Sequence, residues 1–178
     1  MSKRRTKTCC LVIDASIAHA AGTLESSNPT GMRCRDFLIA VRGVCHRMAW
    51  SEAVKAEWDE HQSRFAAEWL VTMMNLKKLR PVKEDLSEHL REAIENHSAD
   101  QNVVAIMLKD AHLIEAALAT DLRIAAHDEA ARGHFRRLAA TLESIRRVIW
   151  VNPVGDDEDA IGWLEDGARA ERSRRLKS

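Results

Sequence analysis

Cys9-Cys10-Leu11-Val12-Ile13-Asp14 is five apolar side chains without alternation, closed by a carboxylate. So short an unbroken apolar run fits a strand buried on both faces, which is the habit of a parallel sheet. Further along, Met48-Ala49-Trp50, Arg123-Ile124-Ala125-Ala126-His127 and Arg147-Val148-Ile149-Trp150-Val151 read as three more strands, the last closed by Asn152-Pro153.

The stretches between them read as helices. After a loop at Asn28-Pro29-Thr30-Gly31, the spacing is mostly helical from Met32 to about Arg47. Ser51 is a plausible N-cap for residues 52–79, in one or two helices, with Val54, Trp58, Phe65, Trp69, Met73 and Leu76 inward and Pro81 after the stop. Helical spacing returns over residues 84–97, over 103–118 after a turn at Ser98-Ala99-Asp100, and over 129–142. Strands separated by helices predict an α/β fold, a single domain with a parallel sheet of four to five short strands flanked by helices. In such sheets a ligand site lies at the carboxyl ends of the strands.

The whole chain of 178 residues fits one domain, with residues 1–8 as a basic lead-in, 9–155 as the domain and 156–178 as a helical, basic tail. Its 7 Gly and 3 Pro leave little material for a turn-rich all-β fold. The 27 basic and 27 acidic side chains exclude a generally basic nucleic-acid binder. They are unevenly placed: residues 1–8 and 168–178 each carry +4, leaving 18 basic against 26 acidic groups between them, a middle of −8. Cys9, Cys10, Cys34 and Cys45 form no CxxC or Cys/His zinc spacing and read as reduced thiols. Asp14 and His19 interrupt the first apolar run too early for a signal peptide, and no stretch approaches the ~18 apolar residues of a membrane span. The expectation is a cytoplasmic protein without a membrane anchor.

Four acids stand where a core does not favour them. Asp14 and Asp128 directly follow strands, although Asp also caps helices at such turns. On a helical wheel Glu57 lies within about 60° of the apolar direction of its helix, while Glu52, Asp59 and Glu60 point away; the alternative is an edge glutamate paired to a nearby Arg. Asp110 falls in the apolar stripe of Val103, Met107, Ile114 and Ala117, unless the helix breaks near Lys109 and Asp110 begins a second one. A buried carboxylate must be paired, protonated or bound to a cation. Four carboxylates directed at one sheet edge are hard oxygen donors, suited to Mg²⁺ or Mn²⁺ together with substrate phosphates. No GxxxxGK[ST], GxGxxG or GxSxG motif is present to support a P-loop, a dinucleotide fold or a Ser16, Ser51 and His112 nucleophile set.

Three segments carry a resemblance to a known family: Leu11-Val12-Ile13-Asp14-Ala15-Ser16, Ser51-Glu52-Ala53-Val54-Lys55-Ala56-Glu57, and Asp110-Ala111-His112-Leu113-Ile114-Glu115-Ala116-Ala117-Leu118 running on to Ile124-Ala125-Ala126-His127-Asp128. In order and spacing of acids they resemble the PIN-domain family, α/β nucleases that include the toxin subunits of many bacterial toxin-antitoxin pairs. Trp150-Val151-Asn152-Pro153 is similar to that family's closing strand, and the resemblance covers residues 9–153. It implies that Asp14, Glu57, Asp110 and Asp128 bind the metal, that Ser16 is the small hydroxyl beside the first, and that the reaction is metal-assisted hydrolysis of RNA. Ala126 stands where the family often has Thr or Ser, and the chain has more helix between Glu57 and Asp110 than the small toxins do.

The resemblance further implies RNA as substrate, with an antitoxin protein or a second copy as possible partners. Arg42, Arg47, Lys55, Lys109, Arg132, Arg136, Arg137, Arg146 and Arg147 are the basic groups available to phosphates, most of them expected to be ordinary surface charge. The alternative function is a non-catalytic PIN-like interaction module; a DNA-directed flap nuclease is a third.

Overall fold

The computed structural model describes residues 8–83 and 87–177. Most of the basic lead-in and Glu84, where one helix is expected to begin, lie outside them. Five strands, β1 (Cys10–Ile13), β2 (Arg47–Trp50), β3 (Leu79–Pro81), β4 (Arg123–Ala125) and β5 (Ile149–Val151), form one sheet in the order β3-β2-β1-β4-β5, and every pairing between them is parallel. Eight α-helices, α1 (Ala15–Ala20), α2 (Pro29–Gly43), α3 (Glu52–His61), α4 (Arg64–Asn75), α5 (Glu88–Glu95), α6 (Gln101–Leu118), α7 (Glu129–Leu138) and α8 (Ala160–Glu165), and two short 3₁₀ turns, Glu143–Ile145 and Arg172–Arg174, make up the other regular elements of the described residues. The arrangement is the expected α/β one and is compatible with a single domain.

The central strand owes its place to its composition. Leu11, Val12 and Ile13 are fully buried, as are Ile124 and Ala125 on one flank and Met48 and Ala49 on the other. The chain runs from β1 outward to β2 and β3, then crosses back over β1 to β4 and on to β5. The point where the winding reverses therefore lies between the carboxyl ends of β1 and β4, where an open parallel sheet leaves a crevice.

Two local expectations are corrected. Asn28-Pro29-Thr30-Gly31 is the start of α2: the Asn28 side chain accepts from the Thr30 N–H at 2.9 Å, and Pro29 takes the first helical position, where its missing N–H costs nothing. Leu79–Pro81, expected as a helix end and its stop, is a short edge strand on β2. Residues 156–177 are packed into the domain. The Leu176 N–H donates to the Val148 carbonyl at 2.9 Å and the Lys177 N–H to that of Arg146, while Ile149 bridges Arg175 in antiparallel fashion. The tail thereby covers the outer edge of β5, an edge otherwise open to another chain.

Buried polar pairs fix the remaining elements. Glu115, on α6, is 3% exposed and accepts two bonds of 3.0 Å from the Arg91 guanidinium and one from the Ser87 N–H, holding α5 to α6. His46 is fully buried; its Nδ1 accepts from the Cys9 N–H at 3.1 Å, which leaves Nε2 to donate to the Leu164 carbonyl at 2.9 Å. Trp69 and Met73 are core, and Trp69 Nε1–H donates to the Leu38 carbonyl; Met74 is 47% exposed. Among the described residues no helix is long and apolar enough to cross a membrane.

Candidate functional site

The two turns flanking the reversal point carry the first and last acids. Asp14 follows β1 and N-caps α1, accepting from the Ser16 N–H at 3.3 Å. Asp128 follows the β4 segment and N-caps α7, accepting from the Ala131 N–H at 2.9 Å. Capping and cleft position, alternatives in the sequence, coexist here. Ser16 ties the turns together: its hydroxyl accepts from the His127 N–H at 3.1 Å and hydrogen-bonds the Asp14 carboxylate. The Asp14 N–H reaches the Ala125 carbonyl at 2.9 Å.

Glu57 and Asp110 come from helices on the sheet. Trp58 is fully buried and donates its Nε1–H to the Ile13 carbonyl at 2.8 Å, which sets α3 against the end of β1. The Glu57 side chain is 25% exposed, whereas those of Asp59 and Glu60 are 51% and 73% exposed, so Glu57 is the inward acid its helical position predicts. Helix α6 runs unbroken through Lys109, so Asp110 sits mid-helix in the apolar stripe and needs another source of relief for its charge.

These segments converge on one cleft of about 180 Å³, lined by Asp14, Ala15, Ser16, Glu57, His61, Lys109, Asp110 and Asp128. All four predicted carboxylates and Ser16 are brought together. Burial, then the nearby charges of Asp14 and Asp128, push the Asp110 carboxyl up to about 6 from an ordinary 3.8, against the opposing pull of His112 and Lys109. Burial likewise raises Asp14, against its hydrogen bonds to Ser16. The walls of the cleft thus repel one another, and a carboxyl near 6 is a group awaiting a proton or a cation. Among the described residues no three His, Cys, Asp or Glu side chains stand close enough to hold one ion.

Of the nine basic side chains considered in the sequence, Lys109 alone lines this cleft. Arg132 is buried in pairs with Glu158 and Glu129, and Lys55 bonds Asp59 at 2.7 Å. His61, whose Nε2 lies 3.6 Å from Glu57 Oε2, was not foreseen as a site residue; its signal was the i+4 spacing from Glu57. Ser51 caps α3 through the Val54 N–H and is 2% exposed, which removes it from any nucleophile set. His112 donates Nδ1–H to the Lys109 carbonyl at 2.9 Å, with Nε2 buried and unpartnered.

The fold and cleft define an open parallel α/β protein with an acidic crevice at the reversal point of its sheet. The chain matches no protein-family model, no curated protein and no solved structure.

Proposed function

We propose that the protein is a Mg²⁺- or Mn²⁺-dependent ribonuclease of PIN-like fold that hydrolyses RNA phosphodiester bonds in this cleft. The supporting observation is the convergence itself: carboxylates from four separate segments, chosen for their odd placement in the sequence, line one crevice, and two of them raise the charge cost of a third. The donor set fits a hard divalent cation, being oxygen throughout. As they stand no three of these acids share one ion, so Asp14, Glu57, Asp110 and Asp128, which line the cleft, would have to draw together on the metal to hold it. When bound, it would lower the pKa of a water and neutralise the phosphodiester's charge.

The chain's own residues do the positioning. Ser16 holds Asp14 and the turn before Asp128 in one arrangement, so the two acids from neighbouring strands keep their spacing. Lys109 supplies the cleft's positive side chain and His61 an imidazole beside it, placed to meet non-bridging phosphate oxygens beside the acids. The scissile bond is held between these walls, and the carboxylates orient the attacking water.

The test is cleavage of an RNA oligonucleotide with Mn²⁺. Asp14→Asn and Asp110→Asn should each lose more than the roughly 10–100-fold that removing an outer partner of a metal ligand costs. Circular dichroism should stay unchanged. Full activity in either folded variant, or in excess EDTA, overturns the reading.

The competing reading, a non-catalytic interaction module, draws on the capping bonds that Asp14 and Asp128 already make. It expects no Mn²⁺-dependent rise in melting temperature, whereas a metal site raises it by mass action.

A further inference from the structure

In an all-parallel sheet every strand is entered at the same edge, opposite the acidic cleft. Here four of the five entries are basic: Arg47 begins β2, Lys77-Lys78 precede β3, Arg123 begins β4 and Arg146-Arg147 precede β5. Some of these cations serve the fold. Lys78 donates to the carbonyls of Val41, Arg42 and Val44 at the end of α2, Arg123 to those of Asp121 and Ala168, and Arg146 to those of Ala139 and Ala140.

Arg47 and Arg80 have no such employment. Both are exposed, and among the described residues neither has a carboxylate within ion-pair distance. Together with Thr8, Cys9, Cys10 and Asp121 they line a second cleft, of about 270 Å³. Its one acid, Asp121, accepts from the Cys10 N–H through Oδ2 at 2.8 Å and keeps its charge, so the two guanidiniums outnumber it. The Arg80 guanidinium lies close enough to the Cys10 thiol to oppose the effect of burial on it, which places Arg80 beside the cleft. Thr8, at its rim, is preceded in sequence by Lys3, Arg4, Arg5 and Lys7.

We propose that this amino-edge cleft binds the phosphate backbone of RNA, with Arg47 and Arg80 as its anchors, at a place separate from the acidic crevice. The inference deepens the ribonuclease reading and rests on it for the identity of the polyanion. An acidic crevice repels RNA unless a cation is present, so grip has to come from elsewhere on the surface. Guanidinium forks match phosphate oxygens in pairs, and two without carboxylate partners flanking one cleft supply that grip. Six residues of extended chain separate Thr8 from Asp14, about 20 Å, which a single strand spans while reaching both edges.

The experiment is fluorescence anisotropy of a labelled unstructured RNA with the full chain in EDTA, titrated across salt concentrations. Arg47→Ala/Arg80→Ala should bind about tenfold more weakly at low salt and flatten the slope of log K against log salt by about 1.4, two contacts at roughly 0.7 each. Arg136→Ala/Arg137→Ala, the same charge removed from α7, should leave the slope unchanged. An unchanged slope in the first variant, or an equal loss in both, overturns the proposal. Should the double variant fail to fold by circular dichroism, Arg47→Gln and Arg80→Gln singly are each expected to lose about 0.7, and no loss overturns it equally. Missing Mn²⁺-dependent cleavage in the wild type would count against the ribonuclease reading alone, because the binding is read without metal.

Discussion

The indole of Trp58 donates to the carbonyl oxygen of Ile13 at 2.8 Å, and the residues beside this pair, Glu57 and Asp14, are two of the four acids of the cleft. One buried hydrogen bond thus registers α3 on the end of β1, and with it the spacing of two carboxylates. Trp58→Phe keeps most of the apolar volume but leaves the Ile13 carbonyl without its donor, a cost of about 1–3 kcal/mol. We expect that loss in urea denaturation, together with a weaker Mn²⁺-induced rise in melting temperature. Lost stability with the metal response intact would show that the bond serves packing alone.

The features legible in the sequence were those that violate a local pattern. β1 announced itself because five apolar residues without alternation have few other uses, and Asp110 because a carboxylate in an apolar stripe demands a partner. Leu79–Pro81 was illegible for the converse reason: it is an exposed three-residue edge strand of Leu, Arg and Pro, held by backbone pairing, so no apolar pattern marks it. The packed tail was hidden for another reason: its buried anchors, Ala160, Trp163, Leu164, Ala168 and Leu176, are scattered among charged residues, and its link to β5 runs through the main chain of Leu176. His61 was marked only by its i+4 spacing from Glu57, and the chain fold was needed to place it in the cleft.

Glu115 and Arg91 form a pair whose carboxylate is wholly buried and whose guanidinium side chain is 34% exposed. Arg91→Ala strands the charge and should destabilise by about 3 kcal/mol. Glu115→Leu with Arg91→Met replaces both by apolar groups and should recover most of that loss in the same denaturation assay. Equal destabilisation by the two variants would show that the Glu115 bond to the Ser87 N–H, rather than the ion pair, holds α5 in place.

His46 is held neutral: burial depresses its pKa below the ordinary 6.5, and its Nδ1 is committed as an acceptor to the Cys9 N–H. The folded state therefore binds fewer protons than the unfolded chain, so this contribution is complete above about pH 6.5 and is lost as pH falls below it. Denaturation at a series of pH values should show that decline in the wild type and a smaller one in His46→Gln. Identical slopes would assign the acid sensitivity to other groups.

Asp110 works in the opposite sense. Its folded pKa, raised from 3.8 to about 6, means that the native protein holds the proton more tightly than the unfolded chain. Without metal its contribution is present below about pH 4 and is lost as pH rises to about 6. Asp110→Asn removes the repulsion and should stabilise the metal-free protein near neutral pH by about 1–2 kcal/mol, allowing for the solvent reaching a half-buried group. A divalent cation replaces the proton, so the Mn²⁺-induced rise in melting temperature should grow as pH passes through about 6 and be largely lost in Asp110→Asn. The two effects make one signature: the variant is the more stable protein in EDTA and the less stable with Mn²⁺. A variant that loses stability under both conditions would show that Asp110 serves the fold, and the cleft would lose its claim to a cation.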